Sequence, residues 1–93
     1  MNRALLRSTV FVRAARAWIK RHPQVAEEIQ TALELLTSDA FHPQLRTHKL
    51  KGKYKNSWAC SAGYDLRIMF KFVEQEGVEA ILLETIGTHD EIY

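Results

Sequence analysis

The sequence predicts an α+β fold in which one mainly antiparallel sheet packs against a pair of helices. Hydrophobic residues recur with helical spacing over about residues 9–38, and with the strand period of two over about residues 58–86. A single sheet covered by a helical hairpin is the simplest way to bury both hydrophobic surfaces. With 93 residues the chain is long enough for one domain, which we expect to span residues 1–93.

The first half of the sequence predicts a short strand followed by two helices. Residues 3–7 are a candidate strand. Ser8 or Thr9 can cap the first helix, because a hydroxyl accepts from the unpaired amides of the first turn. This helix ends before Pro23, since the residue preceding a proline disfavours the helical region. Pro23 then suits the first turn of the second helix, which we expect to end at about residue 39.

The second half of the sequence predicts a connection and a three-stranded meander. Residues 41–56 read as the connection, with a short extended piece at residues 47–50. Alternating patterns predict strands at 58–63 and 66–73, and Glu76-Gly77 predicts a turn. Residues 78–86 are almost continuously hydrophobic, which predicts a central strand covered on both faces.

Positive charge is concentrated in the first part of the chain. Residues 1–55 contain 11 Lys and Arg against 4 Asp and Glu, whereas residues 56–93 contain 2 against 7. The segment RTHKLKGKYKN, residues 46–56, carries five cations and no acid. Such an asymmetry indicates either a surface that faces an anion, such as a nucleic acid or an acidic protein, or two solvated faces of opposite sign.

Several classes of protein are disfavoured. No apolar run approaches the ~18–20 residues of a membrane span, so we expect no membrane partner. Arginines interrupt the N-terminal apolar stretch, which makes it unlike a secretory signal and only weakly similar to a transit peptide. The lone Cys60 excludes an internal disulfide and reads as an inert buried thiol, and the four histidines lack metal-ligand spacing. We therefore expect no cofactor and a cytoplasmic location.

Three segments in this order carry a family resemblance: THKLKGK at 47–53, WACSAGYDLRIMFKF at 58–72 and IGTHDEIY at 86–93. Together they resemble toxins of the RelE/ParE superfamily, specifically the YafQ-like group, over almost the whole chain. The resemblance implies a RelE-like fold and a metal-free endoribonuclease that cuts mRNA, generally on the ribosome. It also implies a co-expressed antitoxin protein as partner.

The resemblance further implies which residues form the active site. The YafQ-like pattern places functional residues at His48, Asp65, His89 and Tyr93, and RelE itself has a phosphate-contacting arginine at the position of Arg67. The chain departs from YafQ at two positions, with Ser61 where YafQ has a histidine and Leu66 where it has a tryptophan. Two active-site histidines therefore remain instead of three.

These residue types suit metal-free RNA cleavage, which needs a base, an acid and a cation for the phosphate. Histidine serves as acid or base because its ordinary pKa of about 6.5 lies near neutral pH. The planar guanidinium of Arg67 fits a phosphate better than an ammonium group does. The remaining cations of the basic segment would follow the RNA backbone; they are Arg46, Lys49, Lys51, Lys53 and Lys55.

Each of these residues also has a simpler interpretation. The alternative for His48 is an ordinary surface histidine. The alternative for His89 is a turn residue that is hydrogen-bonded to Asp90. Asp65 suits a turn. Arg67 points to the sheet face opposite Leu66 and Ile68, which is either solvent or the site, and a terminal Tyr93 is prone to fraying. Trp18 and Trp58 are expected in the core.

Two other functions stay open at this level. ParE-like members of the same superfamily inhibit DNA gyrase by protein contact and generally lack the paired histidines. A relative that binds RNA or the ribosome without activity is the other alternative, which the serine at position 61, in place of a histidine, keeps open. For either type of toxin we expect an acidic or amphipathic antitoxin segment to cover residues 46–56 or the groove beside Tyr93.

Overall fold

The fold was determined from a computed structural model, which describes residues 2–93. Strands and helices are numbered along the chain as β1 (Ala4–Arg7), α1 (Thr9–Arg21), α2 (Val25–Ser38), β2 (His48–Lys49), β3 (Trp58–Ala62), β4 (Leu66–Gln75), β5 (Val78–Thr88) and α3 (His89–Ile92). The strands form one sheet in the order β1-β5-β4-β3-β2, in which β1 is parallel to β5 and the other pairs are antiparallel. The predicted fold class is confirmed.

The two long helices begin and end close to the predicted positions. The Ser8 hydroxyl accepts a hydrogen bond from the Phe11 amide at 3.0 Å and caps α1. Pro23, predicted in the first turn of α2, lies instead in the turn between the helices. That turn is closed by hydrogen bonds from the Val25 and Ala26 amides to the carbonyls of His22 and Pro23, so regular helix starts only at Val25.

The main core lies between the helices and one face of the sheet. Alternate residues of β3, β4 and β5 point toward α1 and α2, which is what a period of two dictates. The largest fully buried side chains include Leu36, Ile68, Phe70, Ile81 and Leu83. Trp18 and Trp58 pack partly buried against this core, as predicted, and the thiol of Cys60 is fully buried within it.

The prediction that residues 78–86 are covered on both faces is wrong. Strand β5 does lie centrally, between β1 and β4, but both long helices pack on the same side of the sheet. Leu82, Glu84 and Thr85 remain partly exposed. The nearly continuous run of hydrophobic residues predicted more burial than this strand has, because the two helices cover only one face of the sheet.

A smaller apolar cluster on the opposite face supports the C-terminus. Ala59 and Met69 pair with each other across β3 and β4, and Leu50 and Ile92 pack with them. Ile92 belongs to α3, a short helix in the segment for which the sequence suggested a turn at His89. Thr88 and Glu91 form a reciprocal capping box that starts this helix. None of the helices in residues 2–93 is long and apolar enough to cross a membrane.

Candidate active site

Residues from distant parts of the sequence line one cavity of about 360 Å³, beside the point where β5 ends and α3 begins. Its walls are formed by Arg46, His48, Ser61, Arg67, His89 and Tyr93. Four of the five residues predicted from the sequence to be catalytic therefore lie together. The cavity is open to solvent, so a polymer could reach it without a change in the fold.

The sheet register explains why these side chains meet. His48 of β2 pairs with Ala59 of β3, and two residues further along β3 Ser61 pairs with Arg67 of β4. Successive side chains of a strand alternate between faces, so Ser61 and Arg67 lie on the face away from α1 and α2. Strand β5 ends beside them and turns directly into α3, which adds His89 and Tyr93 to the site.

The hydrogen bonds of His48 define its tautomer. Nδ1 lies 2.9 Å from the carbonyl oxygen of Arg46, and Nε2 lies 2.7 Å from the hydroxyl of Tyr93. A carbonyl oxygen can only accept, so Nδ1 carries a proton; when the ring is neutral, Nε2 accepts from the Tyr93 hydroxyl. The lone pair of Nε2 in this neutral form points to the Tyr93 hydroxyl, which belongs to a residue that lines the same cavity.

Tyr93 connects the two histidines. Its ring stacks on His48 with centroids 5.3 Å apart and contacts His89 with centroids 4.5 Å apart. Although it is the last residue, it is held by these contacts. Burial raises the pKa of the Tyr93 hydroxyl above its ordinary value, and the positive charge of Arg67 acts in the opposite direction. The hydroxyl thus stays protonated at neutral pH and serves as a donor.

Arg67 is half-buried and anchored through one nitrogen. Its Nη1 donates to the carbonyl oxygens of Leu66 at 2.9 Å and Tyr64 at 3.3 Å. These contacts fix the direction of the guanidinium and leave further donors for an anion in the cavity. The sequence left open whether this side chain faces solvent or the site. In the structure Arg67 lines the cavity.

Asp65 lies apart from the histidines. It is exposed and lines an adjoining cavity of about 490 Å³ together with Arg46 and Arg67, whereas the cavity that holds His48 and His89 does not include it. Among residues 2–93 the acid beside a histidine ring is Asp90, whose Oδ1 is 3.4 Å from Nδ1 of His89. That contact is long and its carboxylate fully exposed, which makes it a weak one.

The basic segment forms a rim around the site. Lys49 and Lys51 border a small cavity that also includes His48 and Tyr93, and Lys53 and Lys55 are exposed in and directly after the 3₁₀ turn at Gly52–Tyr54. Among residues 2–93 none of these lysines forms an ion pair with an acid. Their charge is therefore available to an external anion.

Several features of the site were not predicted from the sequence. The Arg46 carbonyl, which fixes the His48 ring, is a backbone group and leaves no signal in side-chain patterns. The helix that carries His89 could have been found from the T-x-x-E spacing of Thr88 and Glu91, which is typical of a capping box. In the part of the chain that the structure describes, no three His, Cys, Asp or Glu side chains are grouped so that they could hold a metal ion.

Solved structures with this arrangement of strands and helices include bacterial toxins. The E. coli DinJ-YafQ toxin-antitoxin complex contains a chain that superimposes with a TM-score of 0.77 at 18% identity, covering 100% of this chain and 99% of that one. A YoeB/ParE toxin from Agrobacterium tumefaciens gives 0.76 at 13% identity over 92% and 98%. A copper-bound mutant toxin from Helicobacter pylori gives 0.69 at 22% identity over 100% of both chains. At these identities the comparison shows the fold.

Sequence comparison defines the family more narrowly. Residues 3–93 match the family described as bacterial toxin of type II toxin-antitoxin system, YafQ. The chain belongs to this family of the RelE/ParE superfamily, as the sequence segments indicated. A search among curated protein sequences gave no match.

Proposed function

We propose that this toxin is an endoribonuclease that cleaves mRNA, and that it does so on the ribosome. The proposal is carried by one observation: two histidines, an arginine and a protonated tyrosine border a single open cavity that is rimmed by exposed lysines. These groups supply the base, the acid and the phosphate ligand that cleavage by the 2′-hydroxyl requires. Membership of the YafQ toxin family agrees with this chemistry.

His48 is the candidate base. Its Nδ1 proton is held by the Arg46 carbonyl, so the lone pair of Nε2 is the one available to take a proton. The 2′-hydroxyl of the substrate would replace the Tyr93 hydroxyl as the donor to Nε2. His48 then removes the proton while the 2′-oxygen forms a bond to the adjacent phosphorus.

His89 is the candidate acid, and Arg67 is the candidate phosphate ligand. Asp90 lies on the Nδ1 side of His89, which leaves Nε2 to deliver a proton to the departing 5′-oxygen as the P–O5′ bond breaks. The products are a 2′,3′-cyclic phosphate and a 5′-hydroxyl. The unanchored donors of Arg67 would bind the phosphate oxygens, where negative charge accumulates in the transition state.

The exposed lysines and a cognate antitoxin complete the proposal. Lys49, Lys51, Lys53 and Lys55, with Arg46, would bind the phosphates of mRNA or ribosomal RNA. The related E. coli protein was solved as a toxin-antitoxin complex, and we extend this relationship to the present chain. An acidic or amphipathic antitoxin segment would cover residues 46–56 or the groove beside Tyr93, and so block RNA.

Primer extension on mRNA from cells that briefly express the toxin tests this function. Discrete in-frame cuts that disappear with both His48→Ala and His89→Ala are expected. Growth arrest without cuts, unchanged in both variants, would instead favour inhibition of DNA gyrase by protein contact. An absence of both cuts and arrest would leave a protein that only binds RNA or the ribosome.

A further inference from the structure

A groove leads from the candidate active site to helix α2. The cavity with Arg67 and the histidines adjoins the cavity that contains Asp65. Arg46, Ser61 and Arg67 line both. The second cavity continues into a third of about 340 Å³ beside α2. Gln44, Ser61 and Gly63 line both of these. Each cavity has a volume within the range of small-ligand sites.

The charge of the groove reverses along its length. Two arginines and two histidines line the end at the active site, whereas the end at α2 is lined by Glu27 and Glu28 and, among residues 2–93, by no cation. A phosphate is stabilised only at the first end, since carboxylates repel it at the other. A single nucleotide matches this gradient, because its phosphate is anionic and its base is a neutral group with polar edges.

The exposed side chain of Glu28 lies at the far end, in close contact with a glycine. Its carboxylate lies so near Gly63 that a Cβ at this position would overlap Oε2 of Glu28. Gly63 also has a φ of +78°, a conformation that other residues rarely adopt. The positive φ favours glycine at this turn, and the absence of a side chain leaves room for the carboxylate of Glu28 beside the groove.

Tyr64 provides an aromatic surface along the same groove. Its side chain borders the middle cavity and is 95% exposed, so it makes almost no contribution to the core. An exposed aromatic ring beside a phosphate-binding arginine is typical of single-stranded RNA sites, where unstacked bases stack on such rings.

From these features we infer that the groove selects the base of a nucleotide next to the cleaved phosphate, and that it favours bases with an exocyclic amino group over uracil. The inference rests on the proposed nuclease function and adds its base preference. A carboxylate only accepts hydrogen bonds. Glu28 can therefore accept from the exocyclic amino group of adenine, cytosine or guanine, whereas the one donor of uracil, N3–H, lies between two carbonyl oxygens that repel a carboxylate. Gln44 offers both a donor and an acceptor to the rest of the base edge.

Binding of uncleavable RNA tests this inference independently of catalysis. ¹⁵N-labelled protein is titrated with 2′-O-methyl tetranucleotides of adenine, cytosine or uracil, which lack the attacking hydroxyl. We expect the adenine and cytosine oligonucleotides to bind about 10-fold more tightly than the uracil one, a difference that one good base contact supplies. The amide signals of Gly63 and Tyr64 should shift on binding.

The variant Glu28→Gln should reduce the preference to about 2-fold, because an amide can also donate to uracil. Glu34→Gln is the matched control, since it removes the same charge from an exposed position of α2 outside the groove. Equal wild-type affinities for all three oligonucleotides would overturn the inference, as would an unchanged preference in Glu28→Gln. Preferential binding together with an absence of mRNA cuts in the primer-extension experiment would refute the nuclease and leave the base site standing.

Discussion

The hydroxyl of Tyr93 lies 2.7 Å from Nε2 of His48, although 45 residues separate them in the sequence. This contact joins the last residue of the chain to the short strand β2 and orients the imidazole before any substrate is present. It also brings His89 into the site, because the Tyr93 ring packs on both histidines. The C-terminal helix is therefore part of the candidate active site.

We expect Tyr93→Phe to reduce the rate of RNA cleavage about 10-fold, or about 1.4 kcal/mol, because the imidazole of His48 is no longer held in place before the substrate binds. The phenylalanine ring keeps the stacking but no longer fixes Nε2. Tyr93→Leu should cause a larger loss because the stacking is removed as well. Single-turnover cleavage of mRNA on the ribosome gives the rates, and ¹⁵N NMR of the imidazole reports the tautomer. A wild-type rate in Tyr93→Phe would mean that the hydroxyl plays no part.

Arg67 should not be replaceable by lysine. A lysine at this position would keep the charge, but a single ammonium group cannot bind the Leu66 carbonyl and also present a planar pair of donors to a phosphate. We expect Arg67→Lys to lower the cleavage rate about 10-fold and Arg67→Ala about 100-fold or more.

The matched control for these variants is Lys71→Ala, on the same strand but outside the cavity. Lys71 forms a partly exposed ion pair with Glu84 at 3.5 Å, which contributes little to stability. Circular dichroism and the melting temperature establish that each variant is folded. If Arg67→Lys cleaved as fast as the wild type, bidentate phosphate binding by this residue would be excluded.

The fold could be predicted from the sequence to the extent that it depends on local patterns. Both long helices and the strands from residue 58 onward follow from periodicity and from Ser8 and Pro23. A four-residue helix such as α3 is too short to show a period, and the contact of Tyr93 with His48 depends on the whole sheet. The resemblance matched Asp65 by its position in a motif, whereas its place in the adjoining cavity is set by the β3–β4 turn.

The cap of α3 should affect activity more than stability. Thr88→Ala removes the hydroxyl that accepts from the Glu91 amide, which costs about 1 kcal/mol and loosens the helix that carries His89. We expect a loss of cleavage of about 10-fold or more with a decrease of no more than about 4–8 °C in melting temperature. Hydrogen exchange at the Tyr93 amide, which donates to the His89 carbonyl, should become faster.

Ser8→Ala is the control for this cap. It also removes a capping hydroxyl, which in addition donates to the Glu84 carbonyl, so its cost in stability should be at least as large. Because α1 does not line the site, cleavage should stay close to the wild-type rate at a temperature where both variants are folded. Equal losses of activity in the two variants would show that Thr88 acts only through global stability.

Stability should decrease in alkaline solution because of Cys60. Burial raises the pKa of its thiol from 9.0 to about 12. Between these values the unfolded thiol releases its proton while the native thiol keeps it, so the native state holds more protons and the free energy of unfolding falls as pH rises. Ionisation of this thiol leaves the free energy of unfolding unchanged below about pH 9. Between about pH 9 and pH 12 it lowers that free energy by up to ~1.4 kcal/mol per pH unit.

Urea unfolding at intervals between about pH 8 and pH 11 measures this slope. In Cys60→Ala the overall stability should be lower, since the buried sulfur is lost, but the part of the slope due to the thiol should vanish. Tyr93, whose pKa is also raised by burial, adds a smaller effect in the same direction. Identical slopes in Cys60→Ala and wild type would show that the thiol is not desolvated in the native state.

The basic rim should determine how binding depends on salt. Each phosphate contact to single-stranded RNA contributes about −0.7 to the slope of log K against log salt concentration. Replacing Lys51 and Lys53 by alanine should therefore make the slope less negative by about 1.4. The pair Arg13→Ala and Lys20→Ala on the exposed side of α1 changes the net charge equally and should leave the slope unchanged. Fluorescence anisotropy with a 2′-O-methyl RNA gives both slopes, and equal decreases in the two double variants would mean that RNA responds to net charge and not to this rim.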